Sequence, residues 1–247
     1  MKKRYINELI DSSRGAVLRS GEVLLPDADR VKAANRVNLL ALGDVGGTVL
    51  MGLRLLGGEA VGQIGIYDLD PAMMRRYEME INQICFPDGR TLPEVRMLEQ
   101  DELFDCDMFV FCASKGVPPV GAAGDVRMAQ LEANSQLVGI YADMAVKAGF
   151  GGIFAVVSDP VDPLCKAAVL SGLAPEQVQG YGLGVMNGRA SYFAAKDQRF
   201  SQYLRDGRAF GPHGADLVIA DSISAYDAEL SAELTELTVR ANMMVRE

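Results

Sequence analysis

An apolar run over residues 37–42 enters Gly43-Asp44-Val45-Gly46 and leaves it as a helical stripe through Val49, Leu50, Leu53 and Leu56. This junction constrains the fold more than any other feature of the chain. A short, wholly apolar run suits a strand buried on both faces, and Gly57-Gly58 supplies a stop for the helix. Ile64-Gly65-Ile66-Tyr67 then makes a second strand. The alternation goes on with a helix expected over 71–84, strands at 95–98 and 108–112, a helix over about 125–148 and a strand at 153–157. The long helix carries Leu131, Val138, Tyr141 and Ala145 on one side. Such a β/α order predicts an α/β fold built on a Rossmann-type doubly wound parallel sheet.

The turn itself points to a ligand. Glycines between a strand and a helix let the backbone approach a pyrophosphate, whose charge then meets free N–H groups at the positive end of the helix. Gly43, Asp44, Val45 and Gly46 are the residues so placed, although Ala41 occupies the first position of the usual GxGxxG. Asp68 follows the second strand, 22 residues beyond Gly46. A carboxylate there can accept both ribose hydroxyls and would repel the extra phosphate of NADP, so NAD is the expected cofactor. The GxxxxGK[ST] pattern of P-loop NTPases is absent.

Charge and composition narrow the partners. The 247 residues carry a net charge of −9, which repels phosphate backbones and argues against nucleic acid. No apolar run approaches the ~20 residues of a membrane span, and Met1-Lys2-Lys3-Arg4 precedes polar residues rather than a signal core, so a cytoplasmic location is expected. Cys85, Cys106, Cys112 and Cys165 lack CxxC spacing, and no metal site is expected. His213 is the sole histidine, which excludes a site built on two histidines of one chain. The acidic run from Glu99 to Asp107 reads as a solvated turn. Residues 1–35 read as an N-terminal arm, with Ile6, Leu9 and Ile10 on a short helix and Pro26, Asp27 and Asp29 in a turn.

Four stretches, taken in order, resemble the L-lactate/malate dehydrogenase family over residues 36–220: the glycine turn with Asp68; the strand ending Cys112-Ala113-Ser114, with the Gly/Pro-rich loop leading to Gly124-Asp125-Val126-Arg127; Val157-Ser158-Asp159-Pro160-Val161-Asp162; and Gly182 through Arg189 to Gly211-Pro212-His213-Gly214. The resemblance implies an NAD-binding Rossmann domain over 36–184 and a shortened α+β catalytic domain over 185–247. It implies cofactor contacts at Ala113, Ser114 and Val157, Arg189 as the bidentate anchor of a substrate carboxylate, Arg127 on a closing loop, and His213 as acid/base. Gly116, Gly121 and Gly124 would let that loop move. The implied reaction is hydride transfer between nicotinamide and a small 2-oxo or 2-hydroxy acid; the leader arm and the shortened lobe add the expectation of a homo-oligomer.

Four departures accompany the resemblance. Met186 stands where the family's histidine-orienting carboxylate would fall, and Asp159 stands where the family has asparagine. Asp159 could favour an imidazolium; it would also repel a substrate carboxylate unless the substrate carries a positive charge, as an imine does, so an imino acid joins the expected substrates. Pro118-Pro119 occupies the place of a malate-specific arginine. Finally, 227–247 reads as one helix, with Leu230, Leu234, Leu237, Val239 and Met243 on one side, where the family continues with further strands. A dinucleotide-binding relative without catalysis, a sensor or scaffold, is the alternative function.

Overall fold

The structure, a computed structural model, describes residues 35–58, 60–86, 91–115, 126–212 and 216–244. The arm expected over residues 1–35 (Asn35 apart), the stretch holding Gly116, Pro118, Pro119, Gly121 and Gly124, and His213 lie outside the described residues. For Arg127 the backbone alone is described.

The chain divides into two compact units, with the division at Gly180/Tyr181. The first holds β1 (Asn35–Leu40), α1 (Asp44–Leu56), β2 (Val61–Tyr67), α2 (Pro71–Asn82), β3 (Glu94–Met97), β4 (Met108–Phe111), α3 (Val126–Lys147, from Arg127 onward), β5 (Ile153–Val156), α4 (Val161–Leu170) and β6 (Val178–Gly180). Its six strands run parallel in the order β3-β2-β1-β4-β5-β6, so the order reverses between β1 and β4. In a doubly wound sheet that reversal is where a ligand crevice opens at the carboxyl ends of the strands.

Alternation along the strands builds two cores. Phe109 and Phe111 of β4 and Phe154 and Val156 of β5 face one side, against Val138, Ala142, Ala145, Leu164 and Ala168 of α3 and α4. Val110, Ala155 and Leu39 face the other, with Leu50, Ile64, Ile66 and Ile81. Period 2 in a strand makes this inevitable when both faces are covered, and each such side chain removed from water stabilises the unit by about 1.5–3 kcal/mol.

Two local expectations are corrected. The first strand does not reach residue 42: β1 ends at Leu40, because Ala41 takes φ +72° and turns the chain out of the extended region. Leu56 does not join the buried stripe of α1, being 87% exposed, while Arg54 is buried with Gly46, Gly47 and Leu50. At about 100° per residue, Leu56 lies roughly 240° around the helix from Leu50, whereas Arg54 lies nearly above it.

The second unit holds α5 (Leu183–Ala194), α6 (Tyr203–Asp206), the antiparallel pair β7 (Arg208–Phe210) and β8 (Val218–Ala220), and α7 (Ala228–Met244). Met186, Ala190, Phe200, Tyr203, Ile219 and Leu234 form its core. The outer edge of β8 is satisfied by α7: Ile219 N donates to Thr235 Oγ1 at 2.9 Å, and Ser231 Oγ donates to Ile219 O at 2.6 Å. Asp227 caps α7 by accepting from Glu229 N and Leu230 N.

Candidate dinucleotide site

The turn after β1 is shaped by close approach. Ala41 N donates to Tyr67 O at 2.8 Å, tying the turn to the end of β2. A methyl group on Gly46 would lie 1.9 Å from Ala41 O, so only glycine allows the first turn of α1 to pack on the strand end. Gly43 is the N-cap of α1 and offers no side-chain acceptor, which leaves the first-turn amides without a capping side chain. Open amides at the positive end of a 13-residue helix suit a diphosphate. Gly43, Asp44 and Val45 are exposed there, and Gly46 is buried beneath them.

Asp68 sits half-buried just past β2. Its Oδ2 accepts from Leu42 N at 2.7 Å and its Oδ1 from Asp70 N at 3.0 Å. Each carboxylate oxygen has a second lone pair, so the group retains acceptor capacity for a ribose diol while being fixed to the turn. The residues present therefore fit a dinucleotide: an uncapped helix end, a glycine that permits close approach, and an anchored acid.

Beyond the strand reversal, the loops after β4 and β5 are joined by a buried amide. Asn134 of α3, 1% exposed, donates from Nδ2 to Asp159 O at 2.9 Å and to Ser114 Oγ at 3.3 Å, and its Oδ1 accepts from Lys115 N at 2.9 Å. Ser158 Oγ adds a bond to Ala113 O at 2.8 Å, and Val157 N donates to Phe111 O at 3.0 Å. Ala113, Ser114, Val157 and Asp159 are thus brought together in the first unit. Asp159 is exposed, and a cis peptide bond joins it to Pro160. Sequence reasoning missed Asn134. The available signal was a polar residue on the buried face of a helix, in step with Leu131 and Val138.

In the second unit, α5 carries Met186 and Arg189. Met186 is 1% exposed within an apolar cluster, and Arg189 Nη1 lies 3.9 Å from its sulfur, a weak contact at most. The neighbouring Asn187 is engaged within the same unit: its Oδ1 accepts from the Tyr203 hydroxyl at 2.5 Å. Burial pushes that hydroxyl up to about 12, which keeps it protonated and donating.

Burial pushes the thiols of Cys106 and Cys112 up to about 12 and that of Cys165 up to about 11, so none is an activated nucleophile. Among the described residues no group of three or more His, Cys, Asp or Glu could hold a metal ion. No helix among them is long and apolar enough to cross a membrane.

No family model matches the chain. It is 27% identical over 182 residues to an L-lactate dehydrogenase of Staphylococcus saprophyticus, covering 73% of this chain and 55% of that one. It is also 27% identical over 203 residues to an L-lactate dehydrogenase of Corynebacterium glutamicum, covering 81% and 62%. The chain therefore spans somewhat more than half the length of these curated relatives. Among solved structures, a lactate dehydrogenase from a Medee basin deep-sea metagenome superposes with a TM-score of 0.68 at 20% identity, over 86% of this chain and 70% of that one. Malate dehydrogenase from Plasmodium falciparum gives a TM-score of 0.68 at 17% identity, over 86% and 72%. Sheet order, glycine turn and anchored acid define the first unit as a doubly wound Rossmann-type fold. The chain is thus similar in sequence to L-lactate dehydrogenases and shares its fold with lactate and malate dehydrogenases.

Proposed function

We propose that the protein is an NAD-dependent oxidoreductase acting on a small 2-oxo or 2-hydroxy acid, or a related imino acid. The observation that carries this reading is the pairing of an uncapped α1 N-terminus with Asp68 fixed to the same turn by the 2.7 Å bond from Leu42 N. Gly43 to Gly46 hold the diphosphate, Asp68 holds the ribose, and Ala113, Ser114 and Val157 border the nicotinamide end. NAD, when bound, supplies the hydride acceptor. Arg189 anchors the substrate carboxylate, Arg127 closes over it and excludes water, and His213 moves the hydroxyl proton. With Met186 in place of a carboxylate, the imidazole lacks the family's orienting acid, so slow turnover is part of the reading. We place the protein in the cytoplasm as a homo-oligomer with no nucleic-acid or membrane partner. The net charge of −9 supports the absence of a nucleic-acid partner, and the exposed Met51 and Leu55 on α1 fit self-association.

The test is a titration with NADH followed by its fluorescence, then a panel of 2-oxo acids with and without ammonia. Binding with turnover that His213→Ala abolishes, at nearly unchanged NADH affinity, is the expected result. Binding without turnover on any panel member would leave a sensor or scaffold instead, and no binding would remove both readings.

A further inference from the structure

Asp159 is an exposed carboxylate three residues past β5, at the carboxyl end of the sheet, where the second half of a dinucleotide would cross. It makes no ion pair with another described residue. Its main chain is not free to move away from a ligand. The Asp159 carbonyl accepts from the buried Asn134 amide, the Ser158 hydroxyl before it is bonded to Ala113 O, and Pro160 after it is buried. Asn134 bonds to Ser114 and Lys115 at the same time, so Asp159 is held in register with the loop after β4.

A fixed negative charge beside a reacting centre discriminates by charge. It repels an anionic 2-oxo acid and attracts a ligand with a cationic nitrogen on the reacting carbon. We propose that Asp159 is a specificity-determining residue that selects an imino acid, protonated at nitrogen, over the matching 2-oxo acid; this rests on the dehydrogenase reading above. The reduction balances with reduced nicotinamide as donor. A hydride adds to the C=N carbon, the C=N π pair becomes a nitrogen lone pair, and the donor leaves as oxidised nicotinamide. The proton already on nitrogen stays there, and the amine takes a further proton from water.

The experiment has a binding arm and a turnover arm. Calorimetry with NAD present compares L-proline, a cyclic amino acid product, with L-lactate. Absorbance of NADH compares 1-pyrroline-2-carboxylate with pyruvate. The wild type is expected to favour the nitrogen compound in both arms by on the order of tenfold or more, and Asp159→Asn to erase that preference. Asn keeps the side-chain size and the backbone bond to Asn134, and an unchanged melting curve verifies the fold. A wild-type preference for lactate and pyruvate overturns the proposal. So does an equal fall on both substrates in Asp159→Asn, which would mean support of a common step rather than selection. Failure to bind NADH sinks the dehydrogenase reading and this inference together, whereas NADH binding with a preference for the oxygen compounds sinks this inference alone.

Discussion

The backbone amide of Leu42 donates to Asp68 Oδ2 at 2.7 Å, so the acid just past β2 is tied directly to the glycine turn after β1. The bond from Asp70 N at 3.0 Å engages the other oxygen, so both carboxylate oxygens are held by backbone amides. The acid proposed to hold a ribose thus also shapes the turn proposed to take the diphosphate.

That double duty gives the first prediction. Asp68→Ala removes the acceptor of two backbone amides, a loss of about 1–2 kcal/mol in stability. It also removes the charge that would repel a 2′-phosphate. The NADH-to-NADPH affinity ratio should therefore fall by on the order of tenfold or more, as measured by fluorescence titration. An unchanged ratio would dissociate Asp68 from the ribose.

The turn itself can be tuned in both directions. Ala41 holds φ +72°, a conformation that costs a side-chain-bearing residue roughly 1 kcal/mol. Ala41→Gly should therefore hold the folded turn without that strain, and the gain is offset in part by a more flexible unfolded chain. A small rise in melting temperature with intact NADH binding is expected. Gly46→Ala does the opposite, because its methyl would fall 1.9 Å from Ala41 O and α1 must shift. Loss of NADH affinity by more than tenfold is expected; equal affinity would mean the amides of α1 do not meet the diphosphate.

The strand–turn–helix junction was legible in the sequence because each of its parts depends on local pattern. Apolar runs marked the strands, glycines marked the turn, and an acid followed β2 at the expected spacing. Asn134 was not legible as a clamp, because its partners Ser114, Lys115 and Asp159 lie on loops brought together only by the parallel pairing of β4 and β5. Arg54 was missed for a related reason. A charged residue at a buried helical position makes sense only once the carbonyls of Asn82, Ile84 and Pro93 surround it. Met186 was seen as the loss of an acid, but its burial in the core of the second unit is a tertiary fact.

Arg54 provides the third prediction. Its guanidinium donates to Pro93 O, to Asn82 O at 3.3 Å and to Ile84 O at 3.2 Å, clamping the end of α1 to the segments around α2 and β3. Burial lowers its pKa from the usual value, yet arginine stays charged at any working pH. Arg54→Ala strands three carbonyls and should cost about 2–4 kcal/mol in urea unfolding. Lysine, a point donor on a thinner stem, should recover little of it. NADH affinity of the folded variant should change little, since Arg54 lies at the opposite end of α1 from Gly43. If Arg54→Lys matched the wild type, the fork geometry would be irrelevant.

Acid stability tests the second unit. Hydrogen bonds from the Ser224 hydroxyl, the Ser222 hydroxyl and the Ser224 backbone amide hold the Asp206 carboxyl down to about 2. A folded-state value below the unfolded value of about 3.9 means that the contribution is fully present above pH ~4. It is lost as pH falls toward 2, because the unfolded chain takes up the proton first. Unfolding followed by circular dichroism from pH 5 to pH 2 should show stability declining across that window. In Asp206→Asn the decline should be shallower, starting from a lower plateau at neutral pH, since all three donors meet the single oxygen Oδ2 and a neutral amide oxygen accepts them more weakly than a carboxylate. Identical slopes in the two proteins would place the acid sensitivity in other carboxylates and leave Asp206 a bystander.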